Sequence, residues 1–177
     1  TQKQIIISQQ KKTVNIDEAV NNINQGLLEL GIDGFNIKKQ IDSDILYQIV
    51  RAEQCNNTFH TLSEGEKMLI SFFYFRELCK GKKTAESNSS RKIVVIDDPI
   101  SSLSHIYIFN IGQLIKKDFF RSSKYDQIFI LTHSLYFFYE MTDPNHERRK
   151  INQKLFRMIK NRDGSQILEM KYDEIQN

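Results

Sequence analysis

The chain has 177 residues, 40% of them hydrophobic and 27% charged, with 12 Phe, 7 Tyr and no Trp. That length and aromatic content suit one folded domain and exclude extended disorder. A net charge of +3 is too small to indicate a nucleic-acid partner by itself. The most apolar stretch, Met68–Phe75, is far short of the ~20 residues a membrane span needs, and Thr1–Gln10 is not a secretory signal. Cys55 and Cys79 show neither metal-ligand spacing nor a disulfide framework, so the reading is a reducing cytoplasm and no membrane.

Asp17 is a plausible N-cap for an amphipathic helix through Glu18–Leu30, with Val20, Ile23, Leu27 and Leu30 on one face and Gly31 and Gly34 at its end. Phe35–Lys39 and Ile45–Arg51 read as two short strands around the turn Asp42-Ser43-Asp44. Thr61–Glu64 opens a helix from Glu66 to about Lys80 that is apolar around nearly its whole circumference, the pattern of a buried helix. Gly81–Arg91 is a surface loop. Lys92–Ile96 and Gln127–Leu131 read as buried parallel strands, separated by a helix over Ile106–Lys117. A short aromatic helix, Leu135–Met141, stops at Asp143-Pro144. Lys154–Lys160 and Gln166–Tyr172 flank an Asp163-Gly164 turn, a hairpin signal. The expected architecture is a single α/β domain over 1–177, a parallel sheet with flanking helices and antiparallel hairpins at both ends.

Three motifs carry chemistry. Leu62-Ser63-Glu64-Gly65-Glu66 sits where a loop becomes a helix, and a helix N-terminus offers unpaired N–H groups and a positive dipole end to an anion. Ser63 adds a hydroxyl, and Gly65 lets a phosphate approach the backbone; the plainer reading is an ordinary N-cap. Ile93–Ile96 followed by Asp97-Asp98-Pro99 places two carboxylates at the C-terminal edge of a sheet, where ligands of open α/β sheets bind. There they are either Mg²⁺ and water ligands or solvated acids at a strand end. Ile128–Leu131 followed by Thr132-His133-Ser134 ends a second strand in a His able to donate to a γ-phosphate, though a lone His after a strand is usually structural.

In that order the three motifs resemble the C-terminal half of an ABC-type ATPase head, a P-loop NTPase fold. Leu62–Glu66 looks like the signature, Ile93–Asp98 the Walker B strand, Ser101-Ser102-Leu103-Ser104 the D-loop and His133 the switch histidine. Thr61–Lys67, Val95–His105 and Leu131–Tyr139 are more closely similar to the ATPase portion of PrrC/RloC-type anticodon nucleases, bacterial antiphage proteins that cleave tRNA. The resemblance implies ATP or GTP with Mg²⁺, Asp97 as the metal carboxylate, Asp98 as catalytic base and His133 at the γ-phosphate. It implies that Leu62, Ser63, Glu64, Gly65 and Glu66 serve the nucleotide on a second copy, in a head-to-tail dimer or higher oligomer. It further implies nucleotide control of an attached tRNA-cleaving domain, with tRNA and a restriction-modification complex as partners. The alternatives are a Rad50/SMC/RecF-like DNA-associated ATPase, or an antiphage ATPase partnering a separate nuclease.

Departures from the pattern matter. Most ABC heads carry Glu where Asp98 stands, and Ser104 replaces the usual D-loop Asp. No Gly-x-x-x-x-Gly-Lys-Ser/Thr occurs and the chain opens on Thr, so a Walker A portion is expected before Thr1. On that reading this piece alone does not hydrolyse ATP. Finally, Pro144–Arg162 carries seven Lys/Arg against one acid, Glu147. Arg148, Arg149, Lys150, Lys154 and Arg157 are therefore candidates for an RNA or partner surface, set against a plain solvated face.

Overall fold

The computed structural model describes residues 16–39, 47–51, 59–81 and 92–171. The chain divides into two compact units at Leu131/Thr132.

In the first unit, helix α1 (Ile16–Glu29) buries Ala19, Val20, Ile23 and Leu27 and exposes Asp17 and Glu18, acids that suit the positive end of its dipole. Gly31, at φ 77°, closes the helix as Ile32 N donates back to the Leu27 carbonyl at 2.9 Å. Strands β1 (Asn36–Lys39) and β2 (Tyr47–Val50) pair antiparallel, Asn36 opposite Val50 and Lys39 opposite Tyr47. The Asn24 side chain acts like a further strand, giving and taking one 2.8 Å hydrogen bond with the Ile37 backbone. The expected Asp42-Ser43-Asp44 turn and residues 45–46 lie outside the described residues.

After a 3₁₀ turn at Phe59–Thr61, helix α2 (Glu64–Lys80) packs closely on α1: a Cβ on Gly26 would meet the Phe73 ring at 2.4 Å. Leu69, Phe72 and Phe73 are buried, but Leu78 is 42% exposed and Met68, Ile70, Tyr74 and Phe75 only half-buried. An all-round apolar helix was expected to be buried all round, and this one is not. Its one charged core residue, Glu77, is held by Asn22 Nδ2 at 2.8 Å and Lys80 Nζ at 2.5 Å, the pairing a buried carboxylate requires. The expected 81–91 loop, apart from Gly81, lies outside the described residues.

Strands β3 (Ile93–Asp97) and β4 (Gln127–Leu131) are parallel as expected, in register from Ile93/Gln127 to Asp97/Leu131. They are not buried on both faces. Val94 and Ile96 enter the core, whereas Ile93 and Val95 are 60% and 55% exposed, and Phe129 and Leu131 share that exposure. Sequences of this kind normally belong to sheets covered on both sides. Between the two strands, α3 (His105–Ile115) buries Ile108, Ile111 and Ile115 and runs into a π-helical turn, Lys116–Phe120. Phe119, fully buried there, packs against Phe75 and Tyr125.

The second unit holds α4 (Leu135–Met141), α5 (His146–Asn152) and the hairpin β5 (Phe156–Asn161) with β6 (Gly164–Glu169). Its two-residue loop is Arg162-Asp163, and Gly164, at φ 141°, takes the conformation a side chain would resist. Of the aromatics around α4, Phe137 is fully buried while Tyr136 and Tyr139 are exposed. Among the described residues, no helix is long and apolar enough to cross a membrane.

Candidate functional site

Strand β3 delivers Asp97 as its last residue, exposed at the C-terminal edge of the parallel pair. The next residue turns sharply. Asp98 adopts φ 43°, a left-handed conformation that short polar residues tolerate better than others, and its N–H donates to the Leu131 carbonyl at 2.9 Å. That bond ties the acidic turn to the end of β4. Pro99 and Ile100 then bury themselves, anchoring the turn from below. Ser101 Oγ donates to Asp98 Oδ2 at 2.6 Å. Ser102 is the second left-handed residue, at φ 64°, and Leu103 N closes the loop on the Ile100 carbonyl at 3.2 Å. Ser104 is the N-cap residue of α3, without a side-chain capping bond. Two strained residues in five mark a turn held by its surroundings, a feature that concentrates at functional sites.

The turn touches the start of α2. A Cβ on Gly65 would lie 3.0 Å from the Ser102 carbonyl and 3.5 Å from Leu103 Cδ2. A side chain at this position would therefore press on the chain's own backbone, a constraint the sequence does not reveal. Ser63, the exposed N-cap, forms a complete capping box: Glu66 N donates to Ser63 Oγ at 3.2 Å and Ser63 N to Glu66 Oε2 at 2.7 Å. Lys67 pairs with the exposed Glu64 at 2.8 Å, and Arg51 lies 3.8 Å from Glu66. Leu62 is 4% exposed and anchors the turn rather than facing solvent. The plain N-cap is what the structure has: Ser63 caps its own helix and still stands at the surface.

His133 belongs to the second unit, two residues beyond the end of β4. It is exposed, between Thr132 and Ser134, whose N–H donates to Thr132 Oγ1 at 3.1 Å and whose hydroxyl accepts from Phe137 N at 3.3 Å to cap α4. Because β3 and β4 are parallel, the chain leaves β4 at the edge where β3 ends.

The basic stretch divides by burial. Arg149 is 4% exposed and donates to the Asp143 carbonyl at 2.9 Å, so it is a structural residue and not part of an exposed surface. Arg148 pairs with Asp143 at 3.1 Å and Lys154 with Glu169 at 2.7 Å, while Lys150 and Arg157 face solvent. The Asn145 N–H, with the Arg148 guanidinium, holds the Asp143 carboxyl below the usual carboxylate range. Burial pushes the Cys79 thiol up, away from reactivity. Cys55 lies outside the described residues.

Among the described residues, no three His, Cys, Asp or Glu side chains cluster as a self-sufficient metal cage. A lone exposed carboxylate such as Asp97 suits Mg²⁺, which is commonly held by one or two carboxylates together with substrate phosphates and water.

The whole chain, residues 1–177, matches the AAA domain family AAA_13. Over 109 residues it is 37% identical to the uncharacterized chromosomal cassette SCCmec type IVc protein CR006 of Staphylococcus aureus strain MRSA252, a match covering 61% of this chain and only 15% of that protein. Among solved structures, one from work on ATP-driven dimerization and DNA-stimulated activation of SMC ATPases superposes with TM-score 0.56 at 13% identity, over 89% of this chain and 86% of that one. An SMC head bound to the C-winged helix domain of ScpA superposes with TM-score 0.53 at 13% identity, over 89% of this chain and 44% of that one. At such identity the likeness is one of fold. The chain therefore belongs to the AAA domain family, and its α/β fold, a parallel pair with helices and antiparallel hairpins, is shared with the SMC ATPase heads on which it superposes.

Proposed function

We propose that this chain supplies the acidic and signature elements of an ATP-hydrolysing head that works as a pair. The observation that carries the reading is the strained turn after β3, which presents Asp97 and Asp98 at one sheet edge and packs against the surface-facing start of α2. Asp98 would take the proton of the attacking water, and Asp97 would hold the metal side of the triphosphate. Bound Mg²⁺ supplies charge neutralisation of the phosphates. Ser63 would donate from its exposed N-cap to the γ-phosphate held by a second copy. That role is compatible with the capping box, because a hydroxyl that accepts from Glu66 N still has its proton to give. By the motif resemblance, His133 of the second unit would be a donor to a γ-phosphate. Pairing of this kind agrees with the ATP-driven dimerization for which the SMC ATPase structure was studied.

In the protein that contains this domain, Asp98→Asn should leave nucleotide binding intact and lower turnover by on the order of 10²- to 10⁴-fold, the range for losing a general base. Retained turnover refutes the role. Ser63→Arg should abolish ATP-driven pairing in light scattering, and unaltered pairing refutes the trans contact.

For the purpose served by the ATPase, the motif resemblance favours control of a tRNA-cleaving domain in an anticodon-nuclease-like antiphage protein. The fold neighbours favour a DNA-associated, SMC-like clamp. Incubating the intact protein and its Asp98→Asn variant with tRNA and with DNA separates them. Nucleotide-dependent tRNA cleavage supports the first reading, and DNA-stimulated ATP turnover without cleavage supports the second.

A further inference from the structure

The geometry points to Ser101 as the residue that positions the Asp98 carboxylate for hydrolysis, a role that rests on the proposed one for Asp98. Two features of the turn leave the carboxylate in need of a fixed partner. The backbone of Asp98 is locked, by φ 43° and by its N–H bond to Leu131, so the remaining freedom lies in the side-chain torsions. Aspartate is also short, and a carboxyl group with one methylene cannot adjust its reach by changing rotamer as a longer acid can. Ser101, half-buried three residues on, removes that freedom: its hydroxyl donates to Oδ2 at 2.6 Å, in the range of charge-assisted O–H···O⁻ bonds. Its own position is fixed in turn, between the buried Ile100 and the left-handed Ser102, whose carbonyl abuts Gly65.

Orientation of a proton acceptor is a transition-state effect more than a binding effect. Ser101 exchanges no proton itself. It fixes the plane of the carboxyl group, so that the acceptor meets the incoming water in one geometry rather than several. Loss of the hydroxyl should therefore lower kcat and spare the affinity for nucleotide.

The test is steady-state ATPase kinetics of the intact protein, with fluorescent ADP-analogue binding alongside. Ser101→Ala should lower kcat roughly ten- to hundredfold, the equivalent of one hydrogen bond to a charged group, with KM and analogue affinity unchanged. Ser101→Thr, which keeps the hydroxyl, should restore kcat to within about threefold on the same scale. Should Ser101→Ala fail to fold, the nearly isosteric Ser101→Cys, a weak donor, should show the same kcat loss. In an Asp98→Asn background Ser101→Ala should have no further effect on kcat, because the shorter of the two bonds of the serine hydroxyl to Asp98, at 2.6 Å against 3.4 Å to its carbonyl, goes to the carboxylate. Wild-type kcat in Ser101→Ala, or a joint fall in kcat and affinity that Thr does not rescue, overturns the inference. If Asp98→Asn is inactive while Ser101→Ala is wild-type, only the role of Ser101 falls. If Asp98→Asn itself turns over normally, the underlying assignment of Asp98 falls as well.

Discussion

The acidic turn after β3 and the basic stretch around α5 look equally loaded with function in the sequence, and their structures differ in kind. The turn holds its charged residues under strain: two left-handed residues, a short hydroxyl–carboxylate bond and a glycine pressed against a carbonyl, with Asp97 still exposed. The basic stretch spends three of its seven charges on its own fold. Arg149 is buried against the Asp143 carbonyl, Arg148 neutralises Asp143, and Lys154 pairs with Glu169. Backbone strain held beside an exposed carboxylate marks a candidate site; charges paired within the unit mark structure.

The contrast is sharpest at Arg149. If the stretch is structural, Arg149→Ala should destabilise the protein by about 2–3 kcal/mol, since it strips a buried, hydrogen-bonded side chain, while the exposed Arg157→Ala stays within about 0.5 kcal/mol. Chemical denaturation of both variants decides it. Equal, small losses would return Arg149 to the list of surface candidates.

Gly65→Ala probes the turn from the other side. Alanine near the start of a helix gains up to about 1 kcal/mol over glycine, but crowding a fixed carbonyl at 3.0 Å costs about 1–3 kcal/mol, so a net loss of about 1 kcal/mol is expected. A stabilised variant would mean that the Ser102 carbonyl yields freely, and that the two motifs are not packed against one another.

Ser102 offers the opposite sign. It is exposed and left-handed, and among the described residues its side chain makes no hydrogen bond, so glycine fits its φ of 64° better. Ser102→Gly should raise stability by about 0.5–1 kcal/mol after the unfolded chain's added freedom is deducted. Thermal unfolding would show the gain. A loss would place an unrecognised contact on that serine.

These differences explain what the sequence could and could not convey. Periodicity located α1, both members of the parallel pair and the terminal hairpin to within a few residues, because each depends on local patterning. It is silent on faces: Val95 and Phe129 belong to strands apolar on both sides, and one side of this pair is packed. Helix α5 was legible only as part of a solvated helix and hairpin face, because the same residues, His146–Asn152, register first as a charge run. The carboxylates of the turn were legible from their place after an apolar strand. Ser101's bond to Asp98 and the reason for Gly65 were not, since both depend on two left-handed residues that no local pattern announces.

The smallest effect tests whether Asp143, the acid just before the basic stretch, is structural as well. Asp143 titrates below the usual range because the Asn145 N–H and Arg148 favour its charged form. A folded-state value lower than the unfolded one, about 3.9, means this group stabilises the fold above that pH. The contribution fades as the pH falls through the depressed folded value. Acid unfolding should therefore begin slightly earlier in Asp143→Asn, and the variant's stability should vary less with pH below about 4 than the parent's. Identical acid profiles would mean that neither the Asn145 N–H nor Arg148 holds Asp143 firmly. Arg148 would then be available to an RNA or protein partner, and the two regions would be less different than their hydrogen bonds indicate.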